Sequence, residues 1–218
     1  MARKRWPSGV LAMCVFITAS SPGQERVQSI SDVLSRADLS GSISYWSPEK
    51  CRPEPFRFPA FPKLVPATYS GSPVDSLREM FAGDPKMVVN QEPNGHVRLV
   101  EQDVPTDMLD VKIHHVSFDA EVTGTDFFRG PIMAMWPVLL TREVQDYANE
   151  HDLGPILSRR VPGNAAEGRH AHGELNDVTV SQALDYLSHT FPGYWIYGNC
   201  LNADGKREVN FSFIENAP

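Results

Sequence analysis

Apolar and polar positions along this chain switch repeatedly between helical and strand-like periods. Ile30, Val33, Leu34 and Ala37 recur at the spacing of one helical face. Ser29 precedes them as a cap, Asp32 stands three positions on, and Gly41 follows the end. Gly41 to Trp46 has the β-branched and aromatic content of a short strand, and Leu64 to Ser70 reads as another. Ser72-Pro73-Val74-Asp75 is a helix start: a capping hydroxyl, a proline whose missing N–H costs nothing there, and an acid at the positive end of the helix dipole. Leu77, Met80 and Phe81 carry that helix's buried face towards Gly83. Met87-Val88-Val89 and His96 to Val100 then flank Asn94-Gly95, a hairpin signal because both residues tolerate positive φ.

The second half repeats the end of that order. Leu109 to Phe118 alternates like a strand. Ile132, Trp136, Leu139, Leu140, Val144 and Tyr147 keep a helical stripe, with a break or kink expected at Pro137. Residues 158–173 are polar and contain Gly and Ala, the composition of a loop. Thr179-Val-Ser-Gln182 is a capping box before Val180, Ala183, Leu184 and Leu187, and Pro192-Gly193 stops that helix. Tyr194 to Tyr197 and Val209, Phe211 and Phe213 form strands joined across Asn202 to Gly205. Setting Val74 to Met80 beside Ser181 to Leu187 gives the same order of cap, helix and hairpin. The pattern predicts an α+β fold with small mixed sheets, built from two related helix–strand–helix–hairpin units over 26–102 and 103–218.

Two stretches stand outside that pattern. Residues 52–66 contain five prolines interleaved with Phe56, Phe58 and Phe61, which excludes helix and central strand and predicts an extended insert. Its phenylalanines either fold back on the core or present a docking surface. At the front, Met-Ala-Arg-Lys-Arg precedes an apolar run from Gly9 to Ile17 and then small residues, the three parts of a cleavable secretory signal over 1–20. An apolar core of about ten residues is too short to span a bilayer.

Cleavage removes Arg3, Lys4 and Arg5, leaving 17 basic residues against 27 acidic ones, so the mature chain carries about ten negative charges. That balance disfavours nucleic acid and anionic lipid as partners. No later run is long and apolar enough to span a membrane, so the mature chain is expected to be periplasmic or secreted. Cys51 and Cys200 survive cleavage, and an even pair in an oxidising compartment is expected to bridge. Closing a loop of roughly 150 residues would constrain the unfolded chain by about 5 kcal/mol.

The stretch from Arg26 to Gln102 resembles the short N-terminal domain of secretins and TonB-dependent receptors. The resemblance rests on Ile30-Ser-Asp-Val-Leu34, Ile43-Ser-Tyr45, Tyr69-Ser-Gly71, Val74 to Gly83 and the Asn94-Gly95 hairpin. Residues 173–215 are similar in their helix-and-hairpin half, and the Pro/Phe insert lengthens the first loop. The resemblance implies a non-catalytic docking module of the Gram-negative envelope that binds another protein. Strand addition at an open edge is one way to do so, with Gly41 to Trp46 and Val209 to Ile214 as candidate edges.

Little else suggests chemistry. There is no Gly-x-Ser-x-Gly elbow, Gly-rich phosphate loop or dinucleotide fingerprint, so neither a catalytic residue nor a cofactor is expected. Asp75, Glu79 and Asp185 fall on outer helix faces, and Asp103 and Asp107 have only their charge to recommend them. His114 and His115 are adjacent, which points them to opposite faces of a strand. His170-Ala-His172 alone has ligand-like spacing, with Glu167 and Glu174 nearby. In a loop without a third ligand the pair holds no metal, so no metal residue is assigned. The alternative to docking is a periplasmic protein that binds metal or a small ligand through this pair.

Overall fold

The structure is a computed structural model that describes residues 26–27, 29–51, 61–69, 71–121, 131–154, 157–161 and 169–216. The stretch expected to be a secretory signal, 1–20, and Phe56, Phe58 and Glu167 lie outside these residues. In chain order the elements are β1 (Arg26–Val27), α1 (Ile30–Arg36), β2 (Gly41–Lys50), β3 (Ala67–Thr68), α2 (Pro73–Met80), β4 (Met87–Gln91), β5 (Val97–Glu101), a 3-10 turn (Asp107–Asp110), β6 (Lys112–Glu121), α3 (Pro131–Leu139), α4 (Arg142–Glu150), β7 (Leu157–Val161), β8 (His170–Thr179), α5 (Val180–Thr190), β9 (Gly193–Leu201) and β10 (Arg207–Glu215). The fold is α+β.

The helix starts follow the local chemistry. Ser29 accepts from Asp32 N while the Asp32 carboxylate accepts from Ser29 N, and Thr179 and Gln182 make the same reciprocal pair at α5. Ser72 caps α2 with Pro73 behind it. Pro137 does not end its helix. It sits inside α3, and the break comes at Leu140–Thr141, where the Thr141 hydroxyl and the Gln145 amide take the last carbonyls.

Six strands form one mixed sheet in the order β4-β5-β2-β9-β10-β7. β2 runs parallel to both β5 and β9, so a strand of the first half lies between the hairpins of both halves. Both candidate edges are therefore interior: β2 is flanked by β5 and β9, and β10 by β9 and β7. Among the described residues the edges of this sheet are β4 and β7. Alternation along β9 explains how one sheet serves two cores. Tyr194 and Ile196 face α1 and α2, joining Ile30, Leu34, Leu77 and Met80. Trp195 and Tyr197 face the other way, with Phe211 and Phe213, against Leu184, Leu187, Met135 and Leu139 of α5 and α3. Gly193 is required at the strand's start because a Cβ there would lie 2.3 Å from the Ile214 carbonyl oxygen.

Beyond α3 and α5 lies a fourth layer, the antiparallel ribbon β6–β8. The segment expected as a loop over 158–173 is strand at both ends: β7 occupies Leu157–Val161 and β8 begins at His170. Its polar composition misleads because β8 alternates: Ala171 is buried, whereas His170, His172, Glu174 and Asn176 are exposed. In the Pro/Phe insert, Phe61 folds back edge-on to Tyr45 at 5.3 Å between ring centroids. Cys51 and Cys200 are bridged, joining the ends of the neighbouring parallel strands β2 and β9. No helix among the described residues is long and apolar enough to cross a membrane.

Candidate metal centre

The ribbon turns one face inwards and one outwards. Ile113, Val116, Phe118 and Ala171 are buried against α3 and α5, which fixes the alternate positions on the solvent side. Asp119, on that outer face, is the register partner of His172, and along the ladder Glu121 pairs with His170. Asp119 thus stands beside one histidine and diagonal to the other, within reach of both.

The Asp119 carboxylate Oδ1 lies 2.9 Å from His170 Nε2 and 3.8 Å from His172 Nδ1. One ligand atom from each of the three residues falls within 4.8 Å of the other two. The imidazole centroids are 5.6 Å apart with planes inclined at 47°. Donor atoms around a tetrahedral zinc, at bond lengths near 2.0–2.1 Å, are separated by about 3.3 Å, so the observed distances bracket what such an ion needs. The backbone beneath is held: Tyr186 donates its hydroxyl to the His172 carbonyl at 3.1 Å, and its ring packs against Phe118. The side chains are open, with Asp119 82%, His172 76% and His170 43% exposed.

The ligand pair noted in the sequence is therefore placed on a strand, and the missing third ligand comes from β6, more than fifty residues earlier. Glu174 lies on the same face but outside the ligand cluster. His114 and His115 do not join it: both are exposed, and each meets its own cross-strand neighbour, Asp177 at 3.2 Å and Asn176 at 2.9 Å.

A second set of histidines and carboxylates is buried in the main fold. His96, fully buried, has Ser40 Oγ at 3.0 Å from Nδ1, with Ser42 Oγ at 3.0 Å and Asp185 Oδ1 at 3.2 Å from Nε2. Trp195 Nε1 donates to Asp185 Oδ1 at 2.8 Å, and Arg98 donates to both Asp185 and Glu92. His189 approaches Ser40 from α5. Asp185, expected on an outer helix face, is instead turned onto the sheet and buried. Burial first, with Arg98 and His189 adding to it, pushes the His96 pKa down to about 4 against the opposing pull of Asp185 and Glu92. The group contains serine, histidine and aspartate, but both imidazole nitrogens are engaged and the ring has no exposed surface. Its role here is to tie β2, β5, β9 and α5 together.

Two further charged contacts are ties as well. Asp107 takes a bidentate pair from Arg207 at 2.8 and 3.0 Å and a hydrogen bond from the Tyr147 hydroxyl. Burial works against its charge, but the guanidinium and the hydroxyl hold its carboxyl below the usual range. Asp103 pairs with Lys86 at the surface.

No protein family, characterised protein or solved structure matches this chain.

Proposed function

We propose that this chain is an exported, non-catalytic module that binds a divalent transition metal through Asp119, His170 and His172. The observation that carries the reading is the convergence of two imidazole nitrogens and one carboxylate oxygen on the outer face of a braced β-ribbon. Two nitrogens and one oxygen suit zinc, copper or nickel rather than calcium or magnesium, which favour oxygen alone. The bridged Cys51–Cys200 pair supports an oxidising compartment, in keeping with the secretory signal.

The experiment is titration of the mature chain with Zn²⁺ by calorimetry, alongside the variant D119A/H170A/H172A. The wild type is expected to bind one zinc per chain and the variant none. Absence of binding in the wild type, or equal binding in both, overturns the reading.

Docking to an envelope protein, the role implied by the resemblance to the secretin and TonB short domain, is the second reading. Among the described residues no strand pairs with the outer edges of β4 and β7, which favours it, since an edge strand offers free backbone groups to an added strand. Pairing there would be tested by protection of β4 and β7 amides from hydrogen exchange in an envelope extract. Unchanged exchange at both edges would remove it.

A further inference from the structure

The three ligands leave a tetrahedral ion one position short, and the same face of the ribbon holds the group that can fill it only from another molecule. Glu174 is exposed on the outer face, two residues beyond His172. At about 3.4 Å of rise per residue it stands roughly 7 Å along the strand from His172. From His170, four residues away, it stands about 14 Å along the strand, too far to share the ion that His170 helps hold, and it is absent from the cluster whose ligand atoms lie within 4.8 Å. A second copy laid face to face on the ribbon changes this. A two-fold axis in the plane of contact, crossing the ribbon near the Phe118–Gly173 pair, reverses the strand direction. It thereby brings Glu174 of each copy over the Asp119, His170 and His172 of the other.

We propose that the metal centre is completed by a second copy of this chain, so that zinc drives a symmetric dimer with two shared ions. The inference rests on the metal reading above. Three features of the chain support it. The ligands protrude from an exposed surface rather than lining a cleft, so a second ribbon can approach to bonding distance. The outer face presents Asp119 and Glu174, on a chain with a formal net charge of −7, so two such faces repel until cations lie between them. Finally, an isologous contact supplies one extra ligand to each site at once, which gives four ligands per zinc and one zinc per chain.

The test is sedimentation velocity of the mature chain with and without one equivalent of Zn²⁺, repeated on E174Q. The expected result is a monomer without zinc and a dimer with it. E174Q is expected to keep its fold by circular dichroism and to bind zinc more weakly. Its zinc-dependent dimerisation should fall by at least about tenfold, as for loss of one ligand worth about 1.4 kcal/mol. Zinc bound by a chain that stays monomeric would overturn the dimer and leave the metal site standing. A zinc-dependent dimer unaffected by E174Q would overturn the role of Glu174. No zinc binding at all would overturn the metal reading itself.

Discussion

The clusters around His96 and around His170 both combine histidines with an aspartate, and their difference is one of access. Around His96 the imidazole and the Asp185 carboxylate are sealed between sheet and helix, and each polar atom already faces a protein partner. Around His170 and His172 the same chemical groups stand in solvent on a ribbon whose other face is packed. The buried set has spent its donors and acceptors on joining strands. The exposed set keeps lone pairs that can turn to a cation. Residue type alone does not separate a structural cluster from a binding site; the layer in which it sits does.

The largest effect that sharpens this contrast is expected from D185A. It strands Arg98 and His96 beside an empty position in a buried network, and should cost about 3–5 kcal/mol in chemical denaturation. D119A, in solvent, should change stability by less than about 0.5 kcal/mol while abolishing tight zinc binding. A large stability loss in D119A, or none in D185A, would break the comparison.

Acid provides the next test. His96 has a folded pKa of about 4, below the 6.5 of an unfolded chain, so between these values the unfolded state binds a proton that the folded state refuses. Stability is therefore full above pH 6.5 and falls as the pH drops towards 4, by about 3 kcal/mol in total. Stability curves for the wild type and H96Q across that range should diverge, with the flatter curve belonging to H96Q. Parallel curves would mean that some other group carries the acid sensitivity.

How much of this was legible in the sequence follows the same division. Local chemistry was readable: both capping boxes, Pro73 at the first turn of α2, and the strand pairing across Asn202 to Gly205. Each depends on residues a few positions apart. The sheet order was not, because β2 enters between two hairpins through pairings separated by more than fifty and by about 150 residues. β8 was hidden by its exposed face, whose histidines and glutamate outweigh the few buried positions that mark it as a strand. Asp185 was misread because the helical period assigns it to the solvent side, while two of the residues that receive it, His96 and Arg98, lie nearly ninety residues earlier. Asp119 had no signal of its own. The alternation of β6 placed it opposite Phe118, but only the register with β8 sets it beside His172.

Two smaller effects refine the account. H172A should weaken zinc binding by more than about tenfold, as loss of one ligand, with the melting temperature of the metal-free chain unchanged. H115A, on the same ribbon but turned to Asn176, should leave both zinc affinity and stability as they are. Equal losses in the two variants would show that zinc reads imidazole density on the ribbon rather than a defined site.

The most direct test of the central claim is X-ray absorption at the zinc edge of the loaded mature chain. The expected first shell is nitrogen and oxygen near 2.0–2.1 Å, with the outer-shell scattering of two imidazole rings that disappears in H170A/H172A. A shell of oxygen alone, or one that still shows two imidazoles in that variant, would contradict the assignment of the metal to Asp119, His170 and His172.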